Sequence, residues 1–295
     1  MKARLIGHIT YDEISVNDDK YVSLGGPPVY SGLLLSKLGI NPYVETRIGQ
    51  DFEDSKVLWL SRNGLQLNKN VYSEKKTTRF RIHVDRKHKK RKMSIISVCD
   101  DIILNEYQSD ICLVQPVMNE IDAKEIEKIR KSCGFLFVDP QGFLRASING
   151  RIKYSQNVNL VQSLKHVDAI KVDEDEGRMI TGSHDYMKIG TILIHMGVKE
   201  AIVTLGSSGT CLFTKDSVYR VKMPKVKFYD GIGAGDMLGA SYTYSRQRMN
   251  YEEALAFSVS SAITGLSRKA LDKIPSKKEI EETMKKVSKG IIKVS

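Results

Sequence analysis

Residues 230–236 of the chain are Asp-Gly-Ile-Gly-Ala-Gly-Asp, and Met237-Leu-Gly-Ala-Ser-Tyr-Thr-Tyr follows with a helical composition. Glycines at a helix start let backbone N–H groups approach an anion, and the helix dipole adds positive charge there. An aspartate beside an anion site repels phosphate, but it has a purpose if it deprotonates a hydroxyl that attacks phosphorus. The stretch therefore indicates phosphoryl transfer to an alcohol. The alternative is a glycine-rich turn with Asp236 in the first helical turn, where carboxylates are favoured in any case.

The composition is that of a globular protein with a sizeable core. The chain has 295 residues, 41% hydrophobic and 27% charged, and we expect a single α/β domain over residues 1–295. The sequence has no apolar run of the roughly 18 to 20 residues that span a bilayer, and Met1–Ile9 lacks the apolar core of a secretory signal. The cysteines are scattered without a Cys-x-x-Cys pair, which argues against a zinc site and for a reducing cytoplasm: Cys99, Cys112, Cys133 and Cys211.

The chain is basic, with a formal net charge of +11. Part of the excess lies in one run, Asp85–Lys92, which could bind the phosphate backbone of a nucleic acid. A solvated hairpin tip is the favoured interpretation, because the run has no interleaved aromatic residues that would stack on bases. A basic surface would also attract an anionic nucleotide or sugar phosphate.

Apolar strand-like runs alternate with helical patterns along most of the chain, which indicates a parallel sheet with crossover helices. Predicted strands are Arg4–Ile9, Tyr43–Ile48, Ile111–Val114, Phe135–Val138, Ala169–Val172 and Ala201–Leu205. Predicted helices are Val29–Leu38, Asp51–Asn63, Ala123–Lys131, Glu174–Ile180, Met187–Met196, Ala234–Arg246, Tyr251–Leu266 and Lys277–Ser288. Ligands of such sheets bind beyond the carboxyl ends of the strands.

Two stretches interrupt this alternation, Tyr11–Leu24 and Thr77–Val98. The second contains two predicted strands, Thr78–Val84 and Met93–Val98, joined by the basic run. Together the insertions at about residues 11–24 and 77–98 predict a small antiparallel sheet that could cover a site and exclude water. The alternative is a surface hairpin without a catalytic role.

Two features near the N-terminus suit a small polyol ligand. Gly25-Gly26 stands just before a predicted helix, where bare backbone lets a ligand approach. Asp12 follows the first predicted strand, and its carboxylate could accept two hydroxyl groups. Each feature also has a structural explanation, because Pro27 can start a helix and an aspartate commonly forms turns.

Two further features suit a nucleotide and its metal ion. Asp173-Glu-Asp-Glu176 follows a predicted strand. Four carboxylates at a helix start are more than helix capping requires, so they indicate a magnesium site, although capping remains the alternative. Val203–Thr210 is a strand, a glycine loop and a second strand that could pass close to a nucleotide, or a common hairpin.

The order of these features resembles that of the ribokinase-type (PfkB) carbohydrate kinase family along essentially the whole chain, and the 230–236 stretch matches its most specific motif. The resemblance implies a ribokinase-like three-layer α/β core with a mostly parallel central sheet and an inserted β lid. It also implies Mg²⁺ and ATP as cofactors, and a sugar, polyol or nucleoside hydroxyl as acceptor.

The resemblance assigns roles by position. Asp236 would be the general base, and the amides of Gly233, Ala234 and Gly235 the anion hole. Asp12, Gly25 and Gly26 would hold the acceptor. Metal would be held by Glu176 and Asp173, and the nucleotide by Asp173, Thr204, Gly206, Gly209, Gly233 and Gly235.

Three positions depart from the family pattern. Gly231 stands where threonine is commoner, and Asp173 replaces the usual asparagine, which adds negative charge near the phosphates. Tyr30, also assigned to the acceptor site, stands where many members have an acceptor-binding asparagine, and this counts against a ribose-like acceptor. Val138–Arg145 resembles a segment of inositol-kinase-like members, so Asp139, Gln141 and Arg145 could contact acceptor or phosphate; the alternative is a helix start with an ordinary exposed arginine.

The sequence therefore predicts an ATP- and magnesium-dependent kinase for a small sugar or polyol, with inositol as one candidate. A nucleoside kinase of the same family is the first alternative. A non-catalytic nucleic-acid-binding protein on a kinase scaffold is the second, although nucleic acid is an unlikely partner by this interpretation. A homodimer through the edge strands of the lid is a further possibility.

Overall fold

A computed structural model of the chain describes residues 1–85, 87, 90–148 and 151–294, with Lys90 described by its backbone alone. Its strands are β1 (Ala3–Ile6), β2 (Thr10–Val16), β3 (Asp19–Gly25), β4 (Tyr43–Glu45), β5 (Gln66–Leu67), β6 (Arg79–Asp85), β7 (Lys90–Ser97), β8 (Ser109–Val114), β9 (Cys133–Val138), β10 (Arg145–Ile148), β11 (Arg151–Tyr154), β12 (Ala169–Asp173), β13 (Glu200–Thr204), β14 (Thr210–Phe213), β15 (Val218–Val221) and β16 (Ile291–Lys293).

The helices follow the predicted helical segments closely, apart from the helix Val158–Ser163, which was not predicted. They are α1 (Pro27–Lys37), α2 (Asp54–Arg62), α3 (Glu125–Lys131), α4 (Val158–Ser163), α5 (Glu174–Thr181), α6 (Tyr186–His195), α7 (Ala234–Ser245), α8 (Tyr251–Thr264) and α9 (Lys277–Val287). Several starts are fixed by reciprocal capping boxes, as at α8, where Asn250 and Glu253 each accept the other's backbone amide. Such a box satisfies two amides that the first turn leaves without partners.

A ten-stranded sheet of order β16-β15-β14-β13-β12-β9-β8-β1-β4-β5 forms the core. The strands from β5 to β13 are parallel to their neighbours, whereas β14, β15 and β16 pair antiparallel at one edge. The predicted mostly parallel sheet is therefore confirmed. In the antiparallel edge, β14 corresponds to the second strand predicted after the glycine loop of Val203–Thr210, whereas β15 and β16 were not predicted.

Two hydrophobic clusters lie on opposite faces of this sheet. In β8, Ile111 and Leu113 belong to the cluster that contains side chains of α1, α7, α8 and α9. Cys112 and Val114 belong to the cluster that contains side chains of α3, α4, α5 and α6. Because successive side chains of a strand point to opposite faces, near-continuous apolar strands require cover on both. The predicted three-layer arrangement is confirmed.

A four-stranded lid sheet of order β3-β2-β6-β7 is formed by the two predicted insertions. The prediction of an antiparallel lid is wrong in one respect, because β2 and β6 pair in parallel. Both strands leave the carboxyl edge of the core sheet, β2 just after β1 and β6 some residues after β5, so they run in the same direction. The outer pairs, β2 with β3 and β6 with β7, are antiparallel.

A separate hairpin, β10 with β11, packs against lid strand β7 and was not predicted. Within the described residues, the helices are all too short or too polar to cross a membrane.

Candidate active site

The start of α7 lies at the centre of the sheet, where the glycine-rich stretch ends. Gly233 caps this helix with a φ of +76°, in the left-handed region. A Cβ atom at Gly233 would lie 2.5 Å from the ring of Tyr30, so both the backbone conformation and the close approach require glycine. At Gly239, six residues further on, the helix packs directly against Phe137 of β9. Local sequence and packing thus aim the helix N-terminus at the carboxyl edge of the sheet.

The first turn of α7 presents backbone amides to this edge. Within the described part of the chain, the amides of Gly235 and Asp236 donate to no protein acceptor, while the amide of Ala234 donates to the carbonyl of Gly231 over 3.3 Å. Free amides at a helix N-terminus favour an anion. The predicted anion hole is therefore available at Gly235 and partly engaged at Ala234.

Asp236 is the third residue of α7, and its side chain is half-buried. Burial raises the pKa of Asp236 from 3.8 to about 7; the negative charge of Asp139 adds to the rise, and Lys171, Arg91 and Arg145 oppose it. A carboxylate that titrates near neutral pH can accept a proton from a hydroxyl group and later release it. This environment is suited to a general base.

Asp12, Gly25 and Gly26 come together where lid strands β2 and β3 meet α1. The Asp12 carboxylate is 3% exposed and accepts a hydrogen bond of 2.9 Å from the Thr10 hydroxyl. Gly25 lies against this carboxylate, with no room for a Cβ atom, and Gly26 caps α1 with a φ of +83°. Burial raises the pKa of Asp12 to about 7, and the negative charge of Asp236 contributes to this rise, so the two carboxylates lie close enough to interact.

Lys171, a residue that the sequence analysis missed, lies close enough to Asp236 for its charge to lower the pKa of that carboxyl group. It is on β12, its ammonium donates 2.9 Å to Asp139 Oδ2, and it lies 3.6 Å from Glu176 Oε2. Its Nζ is 3.3 Å from where a Cβ of Gly235 would be. Burial lowers the pKa of Lys171, but the charges of Asp139 and Glu176 outweigh burial and raise it overall, so the ammonium stays charged. A charged residue inside the apolar run Ala-Ile-Lys-Val was the available signal.

Asp173 and Glu176, the predicted metal ligands, form a capping box at the start of α5. Asp173 Oδ1 accepts the Glu176 amide and Glu176 Oε2 accepts the Asp173 amide, each over 2.8 Å. Burial raises the pKa of Glu176 to about 7, against the opposing charge of Lys171. The described residues contain no cluster of three or more metal-ligating side chains. Because the second oxygen of each carboxylate makes no hydrogen bond to the described residues, the pair fits magnesium held mainly by phosphates and water.

The predicted nucleotide residues follow β13, next to β12. Thr204 pairs with Asp173 in the sheet register, and its hydroxyl donates 3.3 Å to the carbonyl of Val172. Gly206 is exposed with a φ of +53°. Gly209 has a φ of +119° and lies against the carbonyl of Val221, so the hairpin itself requires glycine there. These residues share the edge that carries Asp173.

The remaining predicted acceptor residues occupy different environments. Asp139 is buried between Lys171 and the amide of Gln141, and Gln141 is half-buried. Tyr30 is 1% exposed behind Gly233, so it packs beneath the glycine-rich stretch 230–236, here called the anion loop. Its role in acceptor binding stays a prediction.

Arg145 is 6% exposed rather than an ordinary surface arginine. Its guanidinium stacks on the ring of Tyr154 at 5.7 Å, and its Nε has no partner among the described atoms. Arg91, which belongs to the basic run, lowers the pKa of both Asp12 and Asp236 by its charge. Two arginines therefore act on the space between the carboxylates. Of the same run, Arg86, His88 and Lys89 lie outside the described residues, so the predicted hairpin tip is not described there.

Comparison with known proteins extends this picture to the whole chain. Residues 11–276 match the family described as pfkB family carbohydrate kinase. The chain belongs to that family. The predicted family is confirmed, and with it the predicted class of enzyme, a carbohydrate kinase.

A segment of 86 residues is 31% identical to 1-phosphofructokinase of Bacillus subtilis (strain 168), and this match covers 29% of the chain and 28% of that relative. The matched segments span 28% of this relative and 20% of a second curated relative, so the chain matches less than a third of the length of each.

Solved structures of ribokinase-family proteins share the fold over nearly the full length. One is a pyrophosphate-dependent kinase of the ribokinase family complexed with a pyrophosphate analog and myo-inositol, with a TM-score of 0.80 and 24% identity, covering 95% of this chain and 99% of that one. Another is the ribokinase of Thermotoga maritima, with a TM-score of 0.76 and 22% identity, covering 96% and 99%. The predicted ribokinase-like fold is confirmed.

Proposed function

We propose that this family member transfers the terminal phosphoryl group of magnesium–ATP to a hydroxyl group of a small sugar or polyol. The observation that carries the proposal is the placement of Asp236, a carboxylate with a pKa of about 7. It lies in the same helical turn as the amides of residues 235 and 236, which donate to no acceptor in the described part of the chain. A base and an anion site within one turn are what phosphoryl transfer to an alcohol requires.

The residues of the site have separate roles in the proposed reaction. Asp12 accepts hydroxyl groups of the acceptor, and Gly25 leaves the room that its carboxylate needs. Asp236 takes the proton of the attacking hydroxyl. The α7 amides and the buried ammonium of Lys171 stabilise the negative charge of the moving phosphoryl group.

The donor phosphates and Mg²⁺ belong at the edge formed by Asp173, Glu176 and Thr204. Mg²⁺ would be held through water by the free oxygens of Asp173 and Glu176, and it would neutralise charge on the donor phosphates. The extra carboxylate of Asp173 is offset on the protein side by Lys171.

A phosphorylated sugar is a second candidate for the acceptor. It is favoured by the buried Arg145, whose Nε has no hydrogen-bond partner among the residues that the structure describes, and by Arg91 on the lid. Arginine forks match phosphate oxygens. The resemblance of one segment to 1-phosphofructokinase supports the same candidate.

The test is a screen of sugars, inositols, sugar phosphates and nucleosides, each with magnesium–ATP and with pyrophosphate, read as phosphorylated acceptor by mass spectrometry. We expect one small polyhydroxy compound or its phosphate to be turned over with ATP. Turnover of nucleosides alone would favour the nucleoside kinase, and turnover with pyrophosphate alone would replace the donor. If no acceptor reacts and nucleic acid binds with a salt dependence that neutralising the basic run abolishes, the kinase proposal is wrong.

A matched pair of variants controls the screen. Asp236→Asn should lower the activity found by roughly 10²- to 10⁴-fold. Asp216→Asn changes an exposed aspartate in the turn between β14 and β15, away from the carboxyl edge of the parallel strands, and should leave it intact.

A further inference from the structure

A buried lysine far along the chain holds the start of the anion loop. Lys273 ends a short 3₁₀ turn, Ala270–Lys273, between α8 and α9, and it is 2% exposed. Its ammonium pairs with Asp230 Oδ1 and donates 3.0 Å to the carbonyl of Ile232. Lysine is almost never fully buried unless it is paired.

The bonds of this ammonium act on the anion hole directly. Ile232 precedes Gly233, the cap of α7, and its carbonyl is the one to which the amide of Asp236 would donate if the helix began one residue earlier. Lys273 occupies that carbonyl. The Asp236 amide, which donates to no acceptor among the described residues, is thereby kept for a phosphate oxygen.

Asp230 fixes the same loop from the other side. Its carboxylate is 0% exposed, and Oδ1 also accepts the Ile232 amide over 2.8 Å. Its other oxygen is buried without a hydrogen-bond partner in the described part of the chain, so Lys273 is the cation that compensates its charge. One ammonium therefore fixes both polar groups of the Ile232 backbone, one directly and one through Asp230.

The backbone that carries Lys273 is itself fixed. Gly265 lies so close to the carbonyl of Lys273 that a Cβ atom would clash. The amide of Tyr229, next to Asp230, donates 2.7 Å to the carbonyl of Leu266. The Lys273 ammonium thus contacts a carboxylate oxygen of Asp230 and the carbonyl oxygen of Ile232 on fixed backbone. Carboxylate and carbonyl oxygens are also the atoms that coordinate a bound monovalent cation.

We propose that Lys273 is a positioning residue for phosphoryl transfer: its ammonium serves as a built-in monovalent cation that orders the anion loop, so that the enzyme needs no added one. The proposal rests on the proposed function for its kinetic consequence. Its structural consequence, an ordered loop with free amides, is independent of the acceptor.

The first experiment reads the loop and needs no substrate. Hydrogen exchange of a peptide covering residues 229–237 is compared in wild type, Lys273→Ala and Lys37→Ala. Lys37 is the matched control, because its ammonium donates to the neighbouring carbonyl of Ile274 and not to the anion loop. We expect at least tenfold faster exchange in this peptide in Lys273→Ala only, slowed again by ammonium, methylammonium or potassium ions but not by choline at equal ionic strength.

The second experiment reads donor affinity and turnover in the same salts. Lys273→Ala should bind inorganic pyrophosphate and ATP at least tenfold more weakly, and kcat should fall at least tenfold with little change in the KM of the acceptor. Small cations should restore both in a saturable way, and Lys37→Ala should show neither loss nor rescue. Wild-type turnover should not change when potassium is replaced by choline.

Several results would overturn the proposal. They are wild-type protection and kcat in Lys273→Ala, losses that no small cation reverses, and activation of the wild type by potassium. If Lys273→Ala does not fold, the deciding measurement is wild-type turnover with potassium replaced by choline. If no acceptor is found for the wild type, hydrogen exchange and pyrophosphate binding still test Lys273, so failure of the kinase proposal remains distinguishable.

Discussion

Replacing Asp236 by asparagine should remove activity and stabilise the fold at the same time. The folded-state pKa of Asp236 is raised from 3.8 to about 7, so folding disfavours its charged form. The Asp236 charge therefore lowers the free energy of unfolding. This loss of stability is absent below the unfolded pKa, grows with pH between the unfolded and the folded pKa, and is complete above about pH 7. Each pH unit of that window is worth about 1.4 kcal/mol.

The magnitude follows from the part of the window that is sampled. Between about pH 5.5 and about pH 8, the free energy of unfolding of Asp236→Asn should rise by about 2 kcal/mol relative to wild type. Turnover should fall roughly 10²- to 10⁴-fold, the usual contribution of a general base. Urea unfolding at the two pH values and steady-state kinetics measure the two effects.

The exposed Asp216→Asn is the control in both measurements. If Asp236→Asn loses stability relative to wild type as pH rises, the carboxylate is not buried as described. If its turnover stays near that of wild type, Asp236 is not the base.

Three further predictions concern neighbouring groups. The kcat/KM of the free enzyme should rise with pH through about pH 7 as Asp236 loses its proton, and a profile that is flat from about pH 5 to 8 would contradict this. Gly25→Ala should displace the Asp12 carboxylate and lower kcat/KM for the acceptor by about 100-fold while donor affinity is kept; equal losses for donor and acceptor would argue against a specific acceptor role. Lys171→Met should leave Asp139 and Glu176 buried without their counter-charge and lower the free energy of unfolding by about 3 to 5 kcal/mol, whereas the exposed Lys215→Met should change urea unfolding little.

The core of the fold was predictable because its local patterns agree with its tertiary structure. Strands such as β8 are short apolar runs, and helices such as α7 follow glycine or capping residues, so type and approximate bounds follow from period and punctuation. The hairpin of β10 and β11 was missed because Ala146, Ser147 and Ile148 are all exposed and carry no alternation. The parallel pairing of β2 with β6 was missed because it depends on where the core delivers the two strands.

The candidate site was predictable where a motif concentrates chemistry in one stretch, as at Asp236. Lys171 was missed although it interrupts an apolar strand, because a single lysine has no partner in the sequence pattern. Lys273 lies in a polar C-terminal loop, and only the folded chain brings it to Asp230. The roles assigned to individual site residues, the cytoplasmic location and the lid dimer remain predictions.

The parallel pairing inside the lid has a consequence for how the molecule assembles. Tyr11 lies in register with Arg79, and its amide donates to the carbonyl of Thr78. No short turn can join two strands that run side by side in the same direction. The long segment of chain between β2 and β6 must be closed into a loop before these strands can pair. Closing this loop is slow and entropically unfavourable until other elements hold its ends. Since Asp12 lies in this pairing, the proposed acceptor site is completed only after the central layers exist. A chain stalled before that point would carry the proposed phosphate site at α7 without the residues proposed to select the acceptor.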